Sequence, residues 1–274
     1  MGFTQTSAPV LEQRKLARDT YLVRVEAPAI AAAIRPGQFV MVRIPGRSDP
    51  LLGRPFALYD TVLDERGRPC ALDIVYLVVG KMTGQLPRLR IGDTLDVWGP
   101  LGNGFPEPKT SERVGLVAGG IGQTPFLAHI RELLGTRGYG GQPARRRVKE
   151  VALFYGVRTA DLAAGVDDFR AAGAVVQLAS NDGSIGHAGF VTELVERAEP
   201  APGHLFGCGP EPMLHALVKV AARLGVPCHL SLETPMACGV GICFSCVTKV
   251  KTADGWDYRR VCVDGPVFDA AELV

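Results

Sequence analysis

Short runs in which hydrophobic and polar residues alternate fill the chain between residues 19 and 98. Clear examples are "TYLVRVEAP", "GQFVMVRIP", "LDIVYLVVG" and "DTLDVWGP", which are separated by Gly, Pro and Asp. Alternation with a period of two puts apolar side chains on one face of a β-strand, and closely spaced strands of this kind are typical of antiparallel sheets. This part of the chain is therefore predicted to form a small antiparallel β-barrel.

The pattern changes at about residue 111 to apolar strand, glycine-rich turn and helix. "RVGLVAGG" is followed by "QTPFLAHIRELLG", and "GHLFGCG" by "EPMLHALVKVAARLG", with two similar units between them. Strands that alternate with helices predict a parallel sheet covered by helices on both faces. The stretch 135–150, "GTRGYGGQPARRRVKE", lacks an apolar period and is predicted to be a solvated surface loop.

The alternation of strands and helices ends after Pro227, where a cysteine-rich tail begins. A length of 274 residues suits two domains with a small appendage. We predict a barrel domain at 1–108, an α/β domain at 109–226 and a small C-terminal region at 227–274. The predicted fold class is β-barrel plus α/β.

Composition and charge narrow the range of partners. With 47% hydrophobic and 21% charged residues the chain is typical of soluble globular proteins, and a net charge of +2 neither attracts nucleic acid nor anchors the chain to a membrane. The N-terminal segment lacks the apolar core of a signal peptide, and no apolar run approaches the roughly 20 residues of a membrane span. We expect a cytoplasmic protein whose partners are small molecules or other proteins.

Cysteines are concentrated in the tail. The chain has seven, and four of them follow the spacing C-x4-C-x2-C, then fifteen residues, then C: Cys238, Cys243, Cys246 and Cys262. In a reducing compartment a disulfide knot is disfavoured, which leaves metal ligands or redox groups. The spacing favours a plant-type 2Fe-2S site over zinc, the alternative, because structural zinc sites usually pair two short cysteine hairpins. Cys70 and Cys228 stand alone and are predicted to be core residues.

Two glycine-containing turns follow apolar strands, "VAGGIGQTP" at 117–125 and "CGPEPM" at 208–213. Glycine between a strand and a helix lets a phosphate-bearing ligand approach the unpaired N–H groups of the helix N-terminus. Each turn alone is a weak signal, since many such turns bind nothing, but two of them at strand ends would face one crevice. The candidate ligand residues are Gly119, Gly120, Gly122, Thr124, Cys208, Gly209 and Pro210.

The barrel region holds a third candidate site in "RPFALYD" (54–60), "YLVVGKMTGQL" (76–86) and "GPLGNGF" (99–105). An arginine at the start of a strand shares one face with an aromatic residue two positions on, which would suit a pyrophosphate and a flat ring. A buried strand with turn glycines explains the same residues equally well.

Together these motifs resemble the ferredoxin-NADP reductase superfamily, in which a flavin-binding barrel precedes a nicotinamide-binding sheet domain. The resemblance is closer to the electron-transfer subunits of NAD-linked dihydroorotate dehydrogenases, and it extends to "NDGSIGHAGFV" at 181–191 and "VCVDGPVF" at 261–268. It covers nearly the whole chain after residue 18. It implies an antiparallel flavin-binding barrel, a parallel-sheet nicotinamide-binding domain and a small C-terminal 2Fe-2S region.

The resemblance assigns residues to FAD. Those that would hold the flavin edge and the pyrophosphate are Arg54, Pro55, Phe56 and Ala57. Those that would line or close on the adenosine diphosphate arm are Tyr76, Leu77, Val78, Met82 and Thr83. Three residues depart from the family pattern, since Ala57 replaces a serine, Leu77 an arginine and Met82 a glycine. The first two changes each remove a polar contact that the family would offer to FAD.

The implied function is electron transfer in pyrimidine biosynthesis. A nicotinamide moves two electrons as hydride, a 2Fe-2S cluster accepts one at a time and a flavin does both, so the flavin must stand between the other two. The resemblance implies that dihydroorotate is oxidised on a separate, FMN-containing catalytic subunit within a heterotetramer. Electrons would then reach NAD through the cluster and FAD of this chain.

Two other functions stay open from the sequence. One is an electron-transfer subunit of a different complex, such as a glutamate synthase-like or sulfide dehydrogenase system, and the other is a redox-sensing module that does not turn over. The sequence also does not separate NAD from NADP. Arg158 follows the second parallel strand, where it would meet a 2′-phosphate, although a solvated arginine is more common there.

Overall fold

The computed structural model describes residues 2–274, and its first part is a curled antiparallel sheet in the order β4-β3-β7-β1-β2-β6-β5. The long first strand bends, so that its first half pairs with β7 and its second half with β2. The predicted barrel is confirmed as an open half-barrel. Its elements are β1 (Thr4–Ala17), β2 (Thr20–Glu26), α1 (Pro28–Ala33), β3 (Phe39–Arg43), β4 (Arg54–Ala57), β5 (Asp60–Leu63), β6 (Pro69–Leu77) and β7 (Thr94–Leu101).

The second sheet has the order β11-β10-β9-β8-β12-β13-β16 and is parallel except for its last strand. This confirms the predicted α/β unit. The remaining elements are β8 (Arg113–Gly119), α2 (Phe126–Leu133), β9 (Glu150–Val157), α3 (Val166–Ala171), β10 (Val175–Ser180), β11 (His187–Ala188), α4 (Val191–Glu196), β12 (His204–Cys208), α5 (Glu211–Leu224), β13 (Cys228–Ser231), β14 (Val247–Thr252), β15 (Gly255–Arg260) and β16 (Val267–Asp269).

Helices cover both faces of the parallel sheet. Phe126 of α2 and Phe169 of α3 belong to the buried cluster on one face, while Val195 of α4 and Leu217 of α5 belong to the cluster on the other. The central strand β8 is buried along its whole length, as expected for a strand covered on both sides. In the part of the chain that the structure describes, no helix is both long enough and apolar enough to cross a membrane.

The tail leaves the parallel sheet and returns to it. The sheet extends past residue 226, where the predicted boundary lies, because β13 adds to it and β16 then pairs with β13. Between these strands lie the cysteine loop (238–246) and the hairpin β14–β15. Cys262 shares a buried apolar cluster with Phe39 and Met41 of the barrel. The tail is therefore attached to both larger units.

The stretch 135–150 is largely irregular, and its residues 141–146 are exposed as predicted, but its first part packs against the barrel. Tyr139 is buried and donates a 2.7 Å hydrogen bond to Asp60 Oδ1, while Arg131 and Arg137 form ion pairs with Asp60 Oδ2. Apolar periodicity could not reveal this packing because the contacts are made by polar groups around a buried carboxylate. The network fixes the barrel against the parallel sheet, so the space between them has defined walls.

Candidate functional site

A cavity of about 560 Å³ opens between the barrel, the ends of the parallel strands and the segment that precedes the cysteines. Its volume falls in the range of roughly 300–1,000 Å³ that is typical of small-molecule sites. We call it the central cavity. The sequence-predicted residues that line it are Arg54, Pro55, Phe56, Ala57, Tyr76, Leu77, Met82, Thr83, Thr124 and Cys208.

Arg54 brings positive charge to the barrel side of the cavity. It begins β4, an edge strand of the curled sheet, and its side chain is exposed. Its Nη1 donates to the carbonyls of Leu52 and Gly53, both at 3.0 Å. Both bonds use one nitrogen, so the other N–H groups of the guanidinium can pair with an anion such as a phosphate.

Phe56 and Tyr76 bring aromatic surface to the same wall. Their ring centroids lie 6.3 Å apart in an edge-on arrangement, and Tyr21 stacks on Tyr76 at 5.9 Å. Burial raises the pKa of the Tyr76 hydroxyl, which stays protonated and accepts a 3.3 Å hydrogen bond from Gln13 Nε2. Ala57 adds no polar group. The part of this wall around Phe56 therefore suits a flat aromatic ring, whereas Arg54 beside it suits an anion.

Residues 79–83 close the cavity beside these rings. Thr83 Oγ1 accepts the N–H groups of Val79 and Gly80, each at 3.0 Å, so the loop itself uses this hydroxyl. Met82 is buried with the barrel core and also touches the cavity. Val78 packs against that core and is absent from the cavity wall, where its neighbour Val79 is found. The loop shapes the cavity mainly with backbone and apolar atoms.

The two glycine-containing turns lie side by side at the ends of β8 and β12, where Ala118 is paired with Cys208. A Cβ on Gly122 would come within 2.3 Å of the Cys208 carbonyl oxygen, so only glycine permits this contact. Burial raises the pKa of the Cys208 thiol, which therefore stays neutral. Thr124 and Cys208 reach the cavity, whereas five predicted residues are set back from its wall: Gly119, Gly120, Gly122, Gly209 and Pro210.

Sequence reasoning missed the third wall of the cavity, the segment 231–236. Thr234 Oγ1 is buried there and has no hydrogen-bond partner among residues 2–274. A buried hydroxyl without a partner fits a ligand or water that completes its bonding. Met236 both lines the cavity and packs against the buried cluster around β3. The only sequence signal for this segment is that it directly precedes Cys238.

The cysteine loop has no regular secondary structure. Gly239 and Gly241 have φ angles of +74° and +84°, and a Cβ on Gly239 would lie 2.5 Å from Met41 Cγ. Phe244 has a φ of 56°, which is uncommon for a residue other than glycine. The loop is wound tightly against β3, in a conformation that persists only where surrounding contacts hold it.

The four cysteines of the tail are free thiols that differ in exposure: Cys243 is exposed, whereas Cys246 and Cys262 are buried. The Cys243 thiol lies 3.2 Å from Ser245 Oγ, and hydrogen bonds with Ser245 and then Cys238 lower its pKa to about 6. Burial, followed by the adjacent Cys246 thiol, raises the pKa of Cys262 to about 12. No three His, Cys, Asp or Glu side chains in the described chain converge as ligands of one metal ion. Four free cysteine thiols with the spacing of a plant-type site supply the thiolate donors that a 2Fe-2S cluster requires.

The cysteine loop lies next to the central cavity. Trp98 Nε1 donates a 3.2 Å hydrogen bond to the Cys238 carbonyl, and Met41 contacts Gly239 of the loop while pairing with the cavity residue Pro55. Met236 lines the cavity two positions before Cys238. The segment that lines the cavity at Met236 thus continues directly into the cysteine loop.

Comparison with known proteins agrees with both halves of this site. Residues 233–274 match the family described as the iron-sulfur cluster binding domain of dihydroorotate dehydrogenase B, and residues 7–105 match the oxidoreductase FAD-binding domain. The dihydroorotate dehydrogenase B (NAD(+)) electron transfer subunit of Bacillus caldolyticus is 39% identical over 267 residues, which are 97% of this chain and 96% of the relative. The same subunit of Caldanaerobacter subterraneus subsp. tengcongensis is 35% identical, with 97% of each chain covered.

Solved structures extend the similarity to the fold. A structure of the NADH-dependent reduced ferredoxin-NADP oxidoreductase is 28% identical and matches with a TM-score of 0.81 over 98% of this chain and 90% of its own. Phthalate dioxygenase reductase, 20% identical, shares the fold with a TM-score of 0.61 over 92% of this chain and 87% of its own. With relatives of more than 30% identity over almost its whole length, the chain belongs to the family of dihydroorotate dehydrogenase B electron transfer subunits.

Proposed function

We propose that this chain moves electrons between an FMN-containing catalytic subunit, on which dihydroorotate is oxidised, and NAD. It would use FAD and a 2Fe-2S cluster and would act in pyrimidine biosynthesis. The observation that carries the proposal is that the cysteine loop lies next to the central cavity: Met236 lines the cavity two positions before Cys238, and Met41 contacts Gly239 of the loop while pairing with the cavity residue Pro55. When bound, FAD supplies the exchange between hydride and single electrons that links a nicotinamide to a cluster.

The barrel wall of the central cavity is proposed to hold FAD. Arg54 offers guanidinium N–H groups to the pyrophosphate, while Phe56 and Tyr76 offer apolar surface to the ring. Thr234 offers a buried hydroxyl that has no protein partner within residues 2–274. Because Ala57 and the neighbouring Leu77 carry no polar side-chain group, FAD affinity should depend strongly on Arg54.

The ends of the parallel strands are proposed to hold the nicotinamide nucleotide. Thr124 and Cys208 reach the central cavity, and the close contact of Gly122 with Cys208 keeps the two turns together. The neutral thiol of Cys208 would contribute packing and would not act as a nucleophile. The glycines and Pro210 behind this wall would set the turn shape. NAD is the proposed nucleotide because the relatives are named for NAD(+).

The cluster is proposed to be held by Cys238, Cys243, Cys246 and Cys262, and the catalytic subunit to cover the face beside them. Ile242 is 80% exposed and Phe244 is 62% exposed, whereas Val240 packs inward against the buried cluster around β3. Large apolar side chains exposed beside redox ligands suit a surface that another protein covers. The proposed contact is consequently centred on Ile242 and Phe244.

Mixing the holoprotein with its cognate catalytic subunit tests the function. Alone, the chain should oxidise NADH with artificial acceptors and leave dihydroorotate untouched, and the mixture should reduce NAD when dihydroorotate is added. Ile242→Ser should weaken coupling, while Phe190→Ser, which changes a residue 68% exposed at the start of α4, should not. Oxidation of dihydroorotate by the chain alone, or no coupling with FAD and cluster intact, would contradict the proposal.

An electron transfer subunit of a different complex is the second candidate. It is supported by the 28% identity with the NADH-dependent reduced ferredoxin-NADP oxidoreductase over 98% of this chain. It predicts rapid NADH oxidation and no coupling to dihydroorotate, whereas a redox sensor predicts hydride transfer too slow for turnover. The cytoplasmic location and the division of the chain at residues 108 and 226 also stay predictions.

A further inference from the structure

Arg260 organises a tight turn around one of the cysteines. It ends β15 and stands two positions before Cys262. Its N–H donates to Asp264 Oδ2 at 2.8 Å, and its carbonyl accepts the N–H groups of Val263 at 3.1 Å and Asp264 at 2.7 Å. We call residues 260–265 the Cys262 turn.

The side chain of Arg260 reaches from this turn to the cysteine loop. Its Nη1 donates to the Gly241 carbonyl at 3.3 Å, and the guanidinium carbon lies 5.3 Å from the centroid of the Phe244 ring. Its Nε is 3.5 Å from the Asp264 carboxylate, which ties the same group back to the turn. One side chain therefore joins the two separate parts of the chain that carry the cysteines.

These contacts are made to residues whose backbone conformation is unusual. Gly241 and Phe244 both have left-handed backbones, and for Phe244 such a backbone requires compensating contacts. The Arg260 guanidinium carries a positive charge, and its side chain is only 33% exposed, so solvent screens this charge incompletely. Net charge and hydrogen bonding around the sulfurs set the reduction potential of iron–sulfur sites.

We propose that Arg260 is a positioning residue of the cysteine loop and that it also raises the reduction potential of the cluster. This role rests on the proposed function, in which the four cysteines hold a 2Fe-2S cluster. Its contacts with the Gly241 carbonyl and the Phe244 ring hold the loop against the Cys262 turn. Reduction adds one negative charge, which a neighbouring guanidinium stabilises. Asp264 neutralises part of this charge, so the expected effect is moderate.

Two substitutions separate charge from position. Arg260→Gln removes the charge, and Arg260→Lys keeps it but loses the planar fork that spans Gly241 and Phe244. Arg259→Gln is the matched control because Arg259 carries the same charge one position away, and its side chain is exposed on the hairpin. Iron and sulfide content, the rate of iron loss to a chelator and the midpoint potential by paramagnetic resonance are measured for each protein.

Arg260→Gln should lower the equilibrium constant for cluster reduction about tenfold. For one electron this corresponds to a fall of ~59 mV in the midpoint potential. Arg260→Lys should keep a potential close to that of the unaltered protein but lose iron faster, and Arg259→Gln should change neither property. Equal potentials for Arg260→Gln and Arg259→Gln at full cluster content would overturn the proposal.

If Arg260→Gln loses its cluster, Arg260→Lys decides the matter. Faster loss of iron at an unchanged potential then supports the proposal, and an unchanged rate of iron loss overturns it. None of these readouts involves dihydroorotate or the catalytic subunit. Absence of a cluster from the unaltered protein would instead refute the proposed function, so the two failures are distinguishable.

Discussion

The central cavity and the cysteine loop lie against one another but are built in different ways. The barrel wall of the cavity is formed by strands β3, β4 and β6, whose positions are fixed by the buried barrel core beneath them. The cysteine loop has no regular structure, and its shape depends on left-handed residues and a few polar ties such as that of Arg260. The difference suggests that the fold provides the cavity in advance, while the loop relies on what its cysteines hold.

The largest expected effect comes from removing one loop ligand. Cys262→Ser should abolish or greatly reduce the cluster, because two cysteines serve each iron and the remaining three cannot complete both. Anaerobically purified protein should be brown and give a paramagnetic signal on one-electron reduction, and the variant should lack both while keeping FAD.

Cys70→Ser is the control for this change, since Cys70 lies in β6 of the barrel, away from the cysteine loop. It should keep the iron content of the unaltered protein. Stoichiometric zinc in colourless unaltered protein, or full iron content in Cys262→Ser, would show that the ligand assignment is wrong.

The next largest effect is expected where the cavity walls are joined. Asp60→Ala leaves Arg131 and Arg137 without their buried carboxylate, which should lower the free energy of unfolding by ~3 kcal/mol. Urea unfolding measures the loss. Asp49→Ala, which breaks an exposed ion pair with Lys81, should cost less than about 1 kcal/mol. Equal losses for the two variants would mean that the network does not hold the walls together.

Some features of the cavity and the loop could be predicted from the sequence, and others could not. Period-two and strand-helix patterns predicted both sheets because apolar burial leaves a periodic trace, and the cysteine spacing predicted the tail chemistry. The contact of Asp60 with Tyr139 left no such trace because it is a polar contact between distant segments. The wall 231–236 left none because it is an irregular segment. Sequence patterns record local geometry and burial, whereas these features depend on how completed units meet.

A smaller effect is expected at the mouth of the cavity. Arg54→Ala should weaken FAD binding by ~1.5–3 kcal/mol, because a charge-assisted pair with phosphate is lost while the apolar walls stay in place. Titration of FAD-free protein with FAD, followed by flavin fluorescence, gives the affinity. Arg66→Ala changes an exposed hairpin turn and should bind FAD normally. Unchanged affinity in Arg54→Ala would place the pyrophosphate elsewhere.

The smallest effect concerns the seam between β12 and β13, from which the wall 231–236 extends. His204 Nδ1 accepts the Lys109 N–H at 2.9 Å, and its Nε2 lies 2.9 Å from His229 Nδ1. Burial, and then the charge of His229, lower the pKa of His204 to about 4. As the pH falls, His204 is therefore protonated in the unfolded chain before it is protonated in the folded chain. The stability that neutral His204 contributes is complete above about pH 6.5 and is lost as the pH falls toward 4.

Between pH 6.5 and 5.5 the loss from His204 should be about 1 kcal/mol. Urea midpoints across this range should fall less steeply in His204→Gln, which keeps an acceptor for the Lys109 N–H. His215→Gln, an exposed change on α5, should retain the slope of the unaltered protein. Identical slopes for all three proteins would mean that His204 does not contribute to the pH dependence of stability.

Electron transfer from the central cavity to the cysteine loop is tested most directly by anaerobic addition of NADH to protein that contains both FAD and the cluster, followed by paramagnetic resonance. The signal of the reduced cluster should develop within the time of one turnover. Protein stripped of FAD should give no signal with NADH and a full signal with dithionite. A signal from NADH without FAD, or none when both cofactors are present, would contradict the claim that the central cavity connects the nicotinamide to the cysteine loop.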